Sequence, residues 1–358
     1  MAVRKPPAAR MLRLCLLLCV IAATTACAKR ERQAESNVPK SSAAEAELVI
    51  YSPHYTDKTE FIIREFRQRT GITVELVYQG TTELLERLAH ERESGVHTAD
   101  VFWGGGIESL EANTALFAPY RSSQLDAINP AYCDPEQYWT GFSVMTMVLV
   151  YNTDLVPADK IPRTWRDLLD PFFAHRIIMP DPMRSGSAYS ILNAILSSER
   201  DGGDEWVLLR ELKNAAGTGG LAAASSQVHS AVATGEYFAG LTAEDAALPE
   251  TAAGQPLAIV YPADGTIAVP DGVALVKDAP HAENAKRFID FVLGPDVQQL
   301  VPVRWYRRSV RNDIPLPAGA ESFSKLRILP YDVFAAARSR ERILQTWQAF
   351  PPQSAREP

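Results

Sequence analysis

Apolar residues along this chain follow two patterns: unbroken runs of strand length, and stretches whose apolar positions return every three to four residues. Leu48–Tyr51 is a buried-strand run, and Ser52–His54 a loop after it. Thr59–Thr70 places Phe61, Ile62 and Phe66 on one helical face, and Gly71 stops it. Ile72–Tyr78 predicts a second strand. Thr81 or Thr82 then stands where it can cap a helix over Glu83–Arg92. Ala99–Trp103 predicts a third strand that runs into the triplet Gly104–Gly106, and Ile107–Asn113 a helix. Strands alternating with amphipathic helices predict an α/β fold on a mainly parallel sheet.

The second half repeats the alternation without a fixed period. Phe142–Tyr151 is a long apolar strand that can cross between two lobes. A short helix at Trp165–Leu169, a strand at Arg176–Met179 and a loop at Asp181–Ser187 precede helices over Ala188–Ser198, Glu205–Lys213 and Gln227–Ala233. Phe238–Thr242 predicts a strand ending in an acidic loop at Glu244 and Asp245; Leu257–Tyr261 predicts another, ending at Asp264-Gly265-Thr266. Buried strands that end in acidic residues suit a ligand cleft at the carboxyl ends of a sheet, although such residues also serve as ordinary caps and turns. Gly272–Val276 predicts a strand, Ala282–Leu293 a helix closed by Gly294-Pro295, and Arg304–Arg342 a basic tail that is helical in its later half.

Composition changes the picture mainly at the N-terminus. With 358 residues, 46% hydrophobic and 22% charged, the chain has room for two domains or lobes. Arg4, Lys5, Arg10 and Arg13 form a basic start, followed by an apolar stretch at Leu14–Ala23 that is too short to span a bilayer. Small residues Thr24-Thr25-Ala26 then precede Cys27. This resembles a bacterial lipoprotein signal, with Thr24 where that pattern usually has Leu. It implies lipidation of Cys27; the alternative is a plain secretory signal, and either one exports the protein. Residues 28–46 are small and polar, as in a flexible tether. The formal charge is −7, and −11 without residues 1–26, which argues against a nucleic-acid partner. After export only Cys27 and Cys133 remain, so no disulfide framework forms. Cys133 reads as a structural or incidental thiol. There is no CxxC or HExxH, so zinc has no local support.

Candidate chemistry gathers at the strand ends. Ser52 and His54, the Gly80–Thr82 loop, Gly105 within its triplet, Ser185-Gly186-Ser187, and Ser225-Ser226 are small, hydroxyl-bearing or imidazole residues, mostly just before helices. Helix N-termini offer free N–H groups and a positive dipole end, so hydroxyls and glycines there suit an anion. Each junction by itself is also a simple cap. Ser185-Gly186-Ser187 is the strongest, since Gly allows close backbone approach and the serines add donors. His54 is a ligand contact or a loop histidine. Trp103 is a stacking platform or a core residue. Glu244, Asp245 and Asp264 form a conceivable acid/base set, but nothing near them supplies a nucleophile, and no GxSxG or Walker loop is present.

The order of VIYSPH at Val49–His54, ADVFWGGG at Ala99–Gly106, VYN at Val150–Asn152, Ser185-Gly186-Ser187 and GEYFAGLTAEDAA at Gly235–Ala247 resembles the solute-binding proteins of bacterial ABC importers. The resemblance is to the branch with ferric-ion-binding and hexose-phosphate-binding members, and covers about Leu48–Trp347. It implies a periplasmic-binding-protein type II fold: two α/β lobes joined by crossing strands, with residues 47–142 and 267–350 in one lobe, 143–266 in the other, and the ligand cleft between. It implies a membrane permease as partner, a monomer, no cofactor and no catalysis. Ferric-ion members use a first-loop His, matched by His54, and a tyrosine pair, absent where Asp245-Ala246 stands. Sugar-phosphate members hold hydroxyls with residues after that strand, implying Glu244, Asp245 and Asp264, and phosphate with helix N-termini, implying Thr82, Ser185–Ser187, Ser225 and Ser226. The acidic loops by themselves favour a cation such as a polyamine or thiamine. The helix caps favour an anion. A secreted hydrolase, and a sensor or adhesion module without a transporter, are the alternatives.

Overall fold

The computed structural model describes residues 47–54, 56–198 and 205–350. The export signal, Cys27 and the tether therefore lie outside the described residues. The strands are β1 (Leu48–Ser52), β2 (Val74–Tyr78), β3 (Val101–Gly106), β4 (Phe117–Ala118), β5 (Thr140–Asn152), β6 (Ile177–Pro180), β7 (Leu221–Ala222), β8 (Ala239–Ala243), β9 (Leu257–Val260), β10 (Ala268–Val276) and β11 (Arg308–Ser309). The α-helices are α1 (Thr56–Thr70), α2 (Thr81–Glu93), α3 (Ile107–Glu111), α4 (Gly186–Ser198), α5 (Glu205–Ala216), α6 (Ser226–Ala233), α7 (Glu244–Ala252), α8 (Ala282–Leu293), α9 (Pro295–Gln298), α10 (Leu300–Arg304) and α11 (Val333–Ala349). Among the described residues, no helix is long and apolar enough to cross a membrane.

The strand order is β2-β1-β3-β10-β5-β8-β6-β7. At one end β1 pairs in parallel with β2 and β3; at the other β6 pairs in parallel with β7 and β8. The long strands between them are antiparallel, so the sheet is mixed where sequence pattern predicts a mainly parallel one. β5 is the reason. Its first half pairs with β10, from Thr140↔Val273 to Thr146↔Ala268; its second half pairs with β8 and β9. An almost wholly buried strand can serve both ends because helices and loops cover both of its faces. The fold is thus α/β, of the two-lobed type II arrangement, with β5 and β10 crossing its middle.

Two apolar cores flank this crossing. Phe66 of α1, Trp103 of β3, Phe142 of β5 and Phe288 and Val292 of α8 pack in the first. Val148 and Val150 of β5, Ile178, Val228, Val232 and Leu257 pack in the second. α11 ties the chain together: Tyr189 Oη of α4 donates to Ala336 O at 2.6 Å, and Lys213 Nζ of α5 donates to Trp347 O at 2.9 Å.

Three local expectations shift. Neither Thr81 nor Thr82 caps α2; Gly80 is the N-cap, and its N–H donates to Glu83 Oε2 at 3.2 Å. The glycine triplet extends β3 past its predicted end at Trp103, with Gly105 at φ +76°, where a Cβ would also meet Thr81 Cγ2 at 2.8 Å. Glu244 and Asp245 are the first turn of α7, directly after β8, so no acidic loop separates strand from helix.

Candidate functional site

A cavity of about 1010 Å³ opens where β1 and β2 end and where α2, α4 and α6 begin. His54, Thr82, Gly106, Ser185, Gly186, Ser225 and Ser226 line it, so each of the five sequence junctions contributes to one space. The first-turn N–H groups of a helix have no i−4 carbonyl partner. No side chain caps α6, although its Gln227 and Val228 N–H groups already donate to Ala224 O at 3.1 Å and Ser225 O at 3.2 Å. Ser185 and Ser187 share a hydroxyl contact at 3.1 Å, and only Ser185 of the two reaches the cavity. Gly186 has no atom within 4 Å of where a Cβ would stand, so the backbone at the start of α4 is open to a ligand.

Apart from Asp245, the charged groups that line the cavity are ones that pattern reading did not single out. Arg184, Arg307 and Arg340 line it together with Glu83, Glu108 and Asp245. Each acid is engaged through one oxygen, while the buried Asp245 Oδ1 has no hydrogen-bond partner among the described residues. Asp245 Oδ2 accepts from Arg307 Nε at 2.6 Å. Glu108 accepts from Tyr331 Oη at 2.5 Å and Ser190 Oγ at 3.3 Å, and Glu83 takes the Gly80 N–H. Arg340 lies over the Tyr189 ring at 4.5 Å. Arg184 is exposed and, among the described residues, has neither a hydrogen bond nor an ion pair on its side chain.

His54 enters a relay across the sheet. Its Nε2 meets Asp271 Oδ2 at 2.7 Å, and the same oxygen accepts from Arg307 Nη1 at 2.6 Å. Ser143 gives Asp271 Oδ1 its backbone N–H at 2.9 Å and its hydroxyl at 2.6 Å. Burial by itself would raise the Asp271 carboxyl, but Arg307, His54 and Ser143 outweigh it and hold it below the ordinary value. Burial likewise opposes charge on Arg307, and Asp245 with Asp271 pushes its pKa up instead. Asp271 was hidden from sequence pattern because Pro270-Asp271 breaks the apolar run that marks β10.

Glu108 differs. Burial raises its pKa, opposed in part by the Tyr331 and Ser190 hydrogen bonds and by Arg340. A raised carboxyl disfavours the folded state as pH climbs from the ordinary carboxyl range through the folded value, because the unfolded chain ionises first. Glu108→Gln is therefore expected to match the parent chain's melting temperature near pH 4 and exceed it at neutral pH. Melting curves across that range check this, and a variant less stable at neutral pH contradicts it.

Besides Ser187, five of the sequence candidates lie away from the cavity. Ser52 is buried and donates to Trp103 O at 2.6 Å, fixing the end of β1 against β3. Trp103 is fully buried, edge-on to His54, Phe142 and Phe288. Gly105 packs on Thr81, and so positions α2. Glu244 forms a bidentate pair with Arg308, both side chains 2% exposed. Asp264 accepts the Trp165 backbone N–H at 3.0 Å, beside Trp165 Nε1 donating to Gly265 O. Cys133 is half-buried, and burial pushes its thiol up to about 11. Among the described residues no group of three or more His, Cys, Asp or Glu side chains is placed to hold a metal ion.

Comparison with known proteins gives a consistent set. Residues 99–332 match the family model described as bacterial extracellular solute-binding protein. An iron uptake protein A1 from Synechocystis is 24% identical over 293 residues, covering 78% of this chain and 80% of the relative. A putative 2-aminoethylphosphonate-binding periplasmic protein from Salmonella typhimurium is 25% identical, covering 76% of this chain and 81% of the relative. The periplasmic binding protein AfuA from Actinobacillus pleuropneumoniae, solved with fructose-6-phosphate bound, superposes with a TM-score of 0.77 at 22% identity, covering 86% of this chain and 99% of that one.

Proposed function

The chain belongs to the bacterial extracellular solute-binding proteins, non-catalytic components of ABC import systems, and from that membership we propose that it captures a phosphorylated organic compound, such as a sugar phosphate, and delivers it to a membrane permease. One observation carries this reading. The first turns of three helices and Arg184, whose side chain has no partner among the described residues, meet in one cavity whose acidic residues each already accept a hydrogen bond. Free N–H groups, positive dipole ends and a guanidinium suit a phosphoryl group, and an engaged carboxylate repels it little. The conflict between acidic residues and an anion eases further because Glu244 and Asp264 lie outside the cavity.

The ligands named for two similar proteins, 2-aminoethylphosphonate and fructose-6-phosphate, fit this chemistry. Ferric ion fits less well, since the His54 Nε2 is taken by Asp271. An organic cation fits less well too, since Arg307 already pairs Asp245. Residues 47–142 and 267–350 make one lobe and 143–266 the other, closing on the ligand as a monomer. Cys27 carries the lipid that holds the exported protein at the membrane. Radiolabelled palmitate entering the parent chain but not Cys27→Ser is the expected result for that anchor; equal labelling contradicts it.

A thermal-shift screen tests the ligand class. Glucose 6-phosphate or a similar ester at about 100 times its dissociation constant adds roughly 2.7 kcal/mol of stability. Ferric citrate, spermidine and thiamine leave the melting point unchanged. A shift with one of those three and none with any phosphate ester overturns the reading.

A further inference from the structure

Resting on that reading, we propose that Trp305 and Arg307, turned into the cavity together by a left-handed residue between them, form a second subsite that receives the cyclic body of the ligand and selects ring-bearing phosphate esters over free phosphate and linear esters. Tyr306 has φ +55°. That conformation is uncommon for a bulky side chain and persists where the surroundings over-determine it. Here they do. Upstream, Trp305 N–H donates to Val301 O at 3.1 Å. Downstream, Arg308 is locked to Glu244 by two bonds at 2.8 and 2.6 Å. In an extended strand residues 305 and 307 would share a face opposite 306, but 305 ends a helix, and the turn at Tyr306 is what brings both neighbours to the cavity wall.

The two side chains offer complementary surfaces. The half-buried Trp305 ring is backed edge-on by Phe142, centroids 6.2 Å apart at 87°, and Val301 continues the apolar wall. Arg307 spends Nε on Asp245 and Nη1 on Asp271, which leaves Nη2 without a partner among the described residues. A flat aromatic face with one directed donor beside it suits a ring that carries oxygen or nitrogen acceptors. Inorganic phosphate needs neither, and a cavity of about 1010 Å³ is far larger than it requires. The shared chemistry is a ring with a face to stack, which a sugar or a heteroaromatic compound supplies.

Calorimetric titration of the purified full chain with inorganic phosphate, glycerol 3-phosphate, glucose 6-phosphate and pyridoxal 5′-phosphate tests this. The parent chain is expected to bind at least one of the two ring esters ten times or more tighter than glycerol 3-phosphate. Trp305→Ala is expected to shrink that ratio at least tenfold, and Trp305→Phe to keep most of it. The preferred ring ester also changes tryptophan fluorescence in the parent chain and not in Trp305→Phe. Glucose 6-phosphate as the preferred ester identifies a sugar ring; pyridoxal 5′-phosphate identifies a heteroaromatic one. A ratio unchanged in Trp305→Ala, while Arg184→Ala weakens every ligand that binds about tenfold or more, overturns the ring subsite and leaves the phosphate reading standing. Binding of none of the four overturns both.

Discussion

Glu244→Ala melts about 6–10 °C below the parent chain. The carboxylate sits at the first turn of α7 and grips Arg308 of β11 through both oxygens, at 2.8 and 2.6 Å, with both side chains 2% exposed. Tyr261 Oη adds a third bond to it at 2.5 Å. Removing the acid leaves a buried guanidinium whose remaining partners are the Glu321 carbonyl at 2.6 Å and the Phe323 ring at 4.0 Å. An uncompensated buried charge costs about 3–5 kcal/mol, and each kcal/mol moves the melting temperature of a chain this size by about 2 °C. A double replacement, Glu244→Leu with Arg308→Met, recovers much of the loss because neither charge then needs a partner. Circular dichroism melts of the three proteins measure it. A single variant that melts with the parent contradicts the pair's structural role.

Arg184→Ala binds its phosphate ester about 10- to 100-fold more weakly, since a charge-assisted contact is worth about 1.5–3 kcal/mol and each 1.4 kcal/mol is tenfold. Its melting temperature without ligand stays with the parent, because the exposed side chain has no partner among the described residues to lose. That combination separates a ligand contact from a structural one. Arg184→Lys keeps the charge but loses the planar fork, and recovers only part of the affinity. Calorimetry with the preferred ester checks both variants, and full affinity in Arg184→Ala removes the residue from the site.

Much of the fold could be read from local pattern, because buried strands such as Leu48–Ser52 and amphipathic helices such as Ala282–Leu293 carry their signature in consecutive residues. The helix starts at Ser185-Gly186 and Ser225-Ser226 were readable for the same reason: small residues and hydroxyls before a helix are a local signal. What escaped depends on partners far away in sequence. Glu244 and Asp245 are adjacent and look alike. Alternate directions from the first turn of α7 send one into the core against Arg308 and the other to the cavity against Arg307, some sixty residues on. No local cue in the basic tail separates Arg307 from Arg308. Asp271 reaches His54 across 217 residues. Trp103, beside three glycines, resembles an open platform, yet the glycines continue its strand and leave the indole in the first core.

The most direct test is a crystal structure of the protein grown with glucose 6-phosphate. The phosphoryl oxygens are expected within hydrogen-bonding distance of the Arg184 guanidinium and of N–H groups in the first turns of α4 and α6. A phosphoryl group bound elsewhere, with Arg184 left in solvent, contradicts the account.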